Sequence, residues 1–99
     1  MDVYKLLEQF PDTERFALCG QIRRAIVSVP LNIAEGMGRT STKEQKHFLE
    51  ISYGSLMEVQ CHLDIATELA YISKEEYNVA NAYIHRIANM INKLHALRR

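Results

Sequence analysis

Side chains of three kinds have types and spacings that could do chemistry. Glu58 and His62 stand four apart, which puts a carboxylate and an imidazole on one side of a helix, and Glu35 or Glu44 could join them. Di-iron bundles use paired Glu-x-x-His motifs and two more carboxylates. Here the spacing differs and a second copy is missing, so neither a metal nor a cofactor is expected. Cys19, Cys61 and several serines are candidate nucleophiles, but no G-x-S-x-G frame surrounds them. Gly36-Met37-Gly38 is too short for a dinucleotide fingerprint and follows no strand pattern. Catalysis and a small-molecule substrate are therefore not expected.

The second kind is a polar stripe. Gln21, Arg24, Ser28, Asn32, Glu35 and Arg39 recur at steps of three and four, and Ser55, Glu58 and His62 offer matching spacing downstream. Stripes at the edge of a core can pair across helices. Arg24 with Glu58, and Glu35 with Arg39, are the expected partners. The plainest role is a boundary network of Arg24, Ser28, Asn32, Glu35, Arg39 and Glu58 that fixes helix register; a ligand or nucleic-acid site is the sharper alternative.

The third kind is basic. After Glu76 no acid occurs, while Arg86, Lys93, Arg98 and Arg99 follow, with His85 and His95. Counted over Lys, Arg, Asp and Glu, residues 13–40 carry +2, residues 42–71 carry −3 and residues 74–99 carry +3. Such a cluster, with Arg23 helping, is enough for phosphate contacts, and an oligomer would multiply it. Cations also complement the dipole at an ordinary helix C-terminus. No zinc finger or RNP-like strand supports sequence-specific readout.

These groups must be carried by helices. Leu18, Ile22, Ala25, Val29 and Ile33 form one apolar seam. A second runs through Leu49, Ser52, Leu56, Val59, Leu63, Ala66 and Ala70, and a third through Tyr77, Ala80, Ile84, Ile87, Ile91 and Leu94. All step by three and four, and no run alternates with period two. Ser41-Thr42-Lys43-Glu44 and Ser73-Lys74-Glu75-Glu76 fit the capping box, while Gly36 and Gly38 suit a helix stop. The spacing predicts helices over about 2–10, 13–37, 42–71 and 74–98, with a kink or short break at Pro30. The fold class expected is all-α: an antiparallel up-and-down four-helix bundle, one domain over residues 1–99, with a shortened first helix. The third helix would be about 45 Å long and the first about 13 Å. Either another subunit covers the seam left open, or the chain begins downstream of a full first helix.

The last helix carries a further stripe, Tyr83, Met90 and Leu97, one position before Ile84, Ile91 and Arg98. Two apolar stripes on one helix favour a subunit interface, against the plainer reading of one wide core-facing stripe.

Composition narrows the class. Twelve Lys and Arg balance twelve Asp and Glu among 99 residues, which excludes a uniformly basic nucleic-acid binder. The apolar fraction of 47% argues against disorder, and two prolines and four glycines are too few for an all-β fold. No signal peptide or membrane span is visible. Cys19 and Cys61 lack CxxC spacing and read as free thiols in a cytoplasmic protein, in preference to a Cys19–Cys61 disulfide.

The stretch from Gln21 to Arg39 reads QIRRAIVSVPLNIAEGMGR. It resembles the helix-two signature of the four-helix bundle proteins encoded in intervening sequences of 23S ribosomal RNA genes, QIRRA-x-VS-x-P-x-NIAEG-x-GR. Ser41, Lys43, Phe48-Leu49, Gly54-Ser55, Glu58 and Leu69-Ala70-Tyr71-Ile72 fit that family's third helix, and the likeness spans roughly residues 4–97. The departure is at the start, where relatives usually have a longer, aromatic-containing first helix before the part matched by Val3 to Phe10. The resemblance implies a small cytoplasmic bundle assembling as a ring-like homopentamer. It also extends to the accessory variability determinant of diversity-generating retroelements, which binds nucleic acid and a reverse transcriptase. The expectation is a non-enzymatic accessory protein that binds RNA or DNA, or a ribonucleoprotein partner. The alternative is an interaction module with no nucleic-acid role.

Overall fold

The computed structural model describes residues 3–15 and 17–98. Among them the regular structure is entirely helical: α1 (Val3–Leu7), a 3-10 turn at Asp12–Glu14, α2 (Leu18–Met37), α3 (Thr42–Glu68) and α4 (Lys74–Ala96). None of these helices is long and apolar enough to cross a membrane.

The first helix tightens early. Beyond Leu7 the chain keeps only i to i−3 bonds, from the amides of Glu8, Gln9 and Phe10, so the predicted end at residue 10 moves back to Leu7; the predicted start, residue 2, lies outside the described residues. The predicted start of α2 at residue 13 moves to Leu18. Asp12–Glu14 closes its own 3-10 turn, and the N-cap, Ala17, has no side chain that could accept from the first amides. Pro30 does not break α2, which continues to Met37.

The α3 and α4 starts follow from their caps. Ser73 and Glu76 form the full reciprocal box: the Glu76 amide donates to Ser73 Oγ at 3.0 Å, and the Ser73 amide donates to Glu76 at 2.9 Å. The box at Ser41 is half made. Ser41 Oγ accepts from the Glu44 amide at 3.3 Å, while the Glu44 carboxylate turns to Arg39 instead, at 3.7 Å. α3 ends three residues before its predicted limit of 71. Ala70 adopts a left-handed φ of 60°, and the Tyr71 amide closes back on Ala66 at 2.9 Å, a Schellman arrangement built on alanine.

One apolar cluster holds these elements together. Leu6, Leu7 and Phe10 join Ile22, Ala25 and Val29 of α2, Leu49, Leu56, Val59, Leu63 and Ala66 of α3, and Ala80, Ile84, Ala88 and Ile91 of α4. Two predicted seam residues behave otherwise: Ala70 is exposed at the turn, and Ile87 is exposed beside α2 while Ala88, outside the predicted seam, is buried in its stead. Contacts between α2 and α3 descend along one helix as they ascend along the other. A Cβ on Gly36 would meet Phe48, Val29 meets Ser52, and Ser28 meets Ser55. Between α3 and α4, Gln60 pairs with Asn81 and Glu50 with His95.

Gly36, expected as a helix stop, lies buried inside α2. A Cβ there would stand 3.0 Å from the Phe48 Cβ and 3.3 Å from the Gln45 carbonyl, so glycine permits α2 and α3 to close at this end. Gly38 is the C-cap, with an ordinary right-handed φ of −82°.

Candidate functional site

The polar stripe meets α3 in part. Ser28 Oγ and Ser55 Oγ are 2.8 Å apart, and Asn32 Nδ2 donates to both the carbonyl and the hydroxyl of Ser28 at 2.8 Å. Nearer the α2 terminus, Arg39 donates to Glu35 at 3.0 Å and lies over the Phe48 ring at 5.0 Å. Arg24 and Glu58 do not pair. The contacts of Ser28 with Ser55 place them at similar heights, but both point into solvent. Glu58 approaches His62 at 3.6 Å instead, and Arg24 makes no ion pair among the described residues. Spacing assigned them to one level of the helix pair without fixing where the two long side chains reach.

Glu58 and His62, weighed as metal ligands, are not joined by a third. Among the described residues no group of three His, Cys, Asp or Glu side chains converges. Both cysteines are free. Cys19 is buried, its Sγ donates to the Leu7 carbonyl at 3.9 Å, and burial pushes its thiol pKa up, away from the reactive thiolate. Cys61 is exposed. Tyr71 donates to Glu14 at 3.0 Å, and that bond raises its pKa.

The basic residues separate into two groups. Arg98 is folded back onto the chain: its guanidinium donates to the Leu94 carbonyl at 3.2 Å and reaches Met37 Sδ at 3.0 Å. Arg99 lies outside the described residues. Arg23, Arg86 and Lys93 are exposed, and among the described residues none is in an ion pair; Arg86 lies over the Tyr83 ring at 5.2 Å.

Tyr83, Arg86, Met90, Lys93 and Leu97 follow one another at steps of three and four, so the expected apolar stripe and the expected cations share one side of α4. Tyr83, Met90 and Leu97 are 41%, 59% and 73% exposed, a row of apolar surface left open among the described residues.

Beside this row a groove of about 420 Å³ opens between α2 and α4. Its floor is Val29, Leu56, Val59 and Ile84. Ile26, Pro30 and Ile33 form one wall, Tyr83 and Ile87 the other, and Val3 of α1 stands at the margin. The only polar atom on a lining side chain is the Tyr83 hydroxyl. The periodicity missed this groove because Ile33 and Ile87 read as members of core seams. A seam residue on a helix with no neighbour at that angle lines an opening instead.

The model of the family described as 23S rRNA-intervening sequence protein matches residues 1–93. The chain belongs to that family. A search of curated proteins finds no match. The family match spans the whole groove, the polar contacts of α2 with α3, and α4 as far as Lys93.

Proposed function

We propose that this family member is a non-catalytic, self-assembling module. In this reading the chain is one domain, an antiparallel up-and-down four-helix bundle with a shortened first helix, and it works as a homo-oligomer in the cytoplasm. The descending contacts of α2 with α3 and of α3 with α4, and the end of α1 at Leu7, support the bundle. Free thiols suit a reducing compartment. The resemblance to ring-forming bundles favours five copies.

The observation that carries assembly is the apolar row Tyr83, Met90 and Leu97, exposed along α4 at the edge of an open apolar groove. Covering such a surface removes apolar area from water, at about 25 cal/mol per Å². The test is light scattering during size exclusion on Tyr83→Asp and Met90→Asp. Loss of assembly with unchanged helical circular dichroism is expected. Assembly equal to that of the unaltered protein would refute the reading.

A second role rests on Arg86 and Lys93, exposed and outside any ion pair among the described residues. As an accessory to RNA, DNA or a ribonucleoprotein partner such as a reverse transcriptase, the oligomer would repeat these cations, and Arg23, around its surface. Anisotropy titrations with a structured RNA and a duplex DNA, at low and physiological salt, test it. Binding that weakens with salt, with a shallower slope in Arg86→Ala/Lys93→Ala, is expected. No binding at low salt would leave a module that acts through proteins alone.

A further inference from the structure

We infer that the groove between α2 and α4 is the socket for the outward side of α3 from a second copy, so that protomers join head to tail. This rests on the self-assembly reading and names the two surfaces that meet.

The socket is apolar in its depth and cationic at its edges. Along α2, Arg23 precedes Ile26, Pro30 and Ile33 at steps of three and four; along α4, Arg86 and Lys93 flank Tyr83 and Ile87. No carboxylate occurs in these rows. The matching ridge is on α3, where Ile51, Gly54, Glu58, Cys61, Ile65 and Glu68 succeed one another at the same steps, all of them exposed. Its two isoleucines are 37% and 43% exposed, its charges are both negative, and no cation interrupts it. The segment charges agree: α3 lies in the stretch carrying −3, while the stretches holding α2 and α4 carry +2 and +3. The chain thus supplies both a basic-edged apolar groove and an acidic-edged apolar ridge, the complementarity that selects a second copy as the occupant.

Gly54 fits this placement. A Cβ there would meet nothing within 4 Å, so no contact among the described residues calls for glycine in the middle of a long helix. On a ridge that enters a groove, the missing side chain lets two helices approach. Socket and ridge are different surfaces of one protomer, so the contact is heterologous, and repeating it gives a closed ring or a filament.

Two variants isolate the two surfaces. Gly54→Arg places a cation on the ridge, in open space where the fold tolerates it; Ile87→Arg places one in the socket, at a residue already 37% exposed. Sedimentation velocity is expected to show each variant alone as a monomer with the helical circular dichroism of the unaltered protein. Mixed, they should form one-to-one heterodimers and nothing larger, because only the ridge of the socket variant and the socket of the ridge variant remain intact. If the unaltered protein is monomeric at every concentration, self-assembly fails and this inference with it. If it assembles, and the mixture stays monomeric or either variant still assembles alone, only the head-to-tail contact is overturned. Glu58→Arg and Arg86→Glu, at two exposed positions, give an independent check. Each alone is expected to weaken assembly about tenfold, and the double variant to restore it; no restoration would also overturn the contact.

Discussion

Ser52 donates its hydroxyl to the Val29 carbonyl at 2.8 Å from a site with no solvent exposure. Serine thus occupies a core seam position between Leu49 and Leu56 because it ties α3 to α2 one residue before Pro30. Removing the hydroxyl takes one buried hydrogen bond from the α2–α3 contact. Ser52→Ala is expected to lower stability by about 1 kcal/mol. A urea denaturation midpoint unchanged from that of the original would show that this bond does not hold the two helices.

The glycines of α2 and α3 predict opposite outcomes for one substitution. At Gly36 a methyl group would press on Phe48 and Gln45. Crowding of about 1–3 kcal/mol outweighs the helix propensity gained, about 1 kcal/mol. At Gly54 the space is open, and the gain of about 1 kcal/mol stands alone. Measured by urea denaturation under monomeric conditions, Gly36→Ala should therefore destabilise and Gly54→Ala should stabilise. The same sign at both sites would contradict the packing described for α2 on α3.

Much of this architecture is legible in the sequence, and each departure has its own physical reason. Apolar steps of three and four located α2, α3 and α4, and the serine at each cap placed the starts of α3 and α4 to the residue. The end of α3 escaped because its left-handed residue is Ala70, where glycine is the usual signal. The late start of α2 escaped because apolar spacing does not tell the short 3-10 turn of Asp12–Glu14 from the first turn of a longer helix. At the candidate site, spacing grouped Tyr83, Met90 and Leu97 correctly on one side of α4. It could not show that Ile87 faces a groove rather than a helix, or that Ile33 packs on the core and lines the same groove, since period reports direction and not what lies there. For the same reason it matched Arg24 to Glu58 in height and missed that each points away.

Relieving the strain at Ala70 should stabilise the protein. A left-handed alanine costs about 1–2 kcal/mol, part of which is returned when glycine enlarges the freedom of the unfolded chain. Ala70→Gly is expected to raise stability by about 1 kcal/mol. A lower melting temperature for this variant would mean that the turn after α3 is held by something other than backbone conformation.

Tyr77 links stability to alkaline pH. Burial first, and then its bond to the Asp64 carboxylate, together push its pKa from an ordinary 10 up to about 12. The fold therefore favours the neutral phenol. The stabilisation is fully present below pH 10 and is lost as the pH rises through about 12. In melting curves across that window, the unaltered protein should lose stability faster than Tyr77→Phe. Parallel curves would show that the phenol titrates alike in the folded and unfolded chain.

The central claim is that the exposed apolar surface of α4 and the groove beside it exist to be covered by other copies of this chain. Sedimentation velocity over a hundredfold range of concentration tests it most directly. The account predicts a species whose mass is a multiple of the 11.4 kDa protomer and which dissociates on dilution. A single 11.4 kDa species throughout would contradict it.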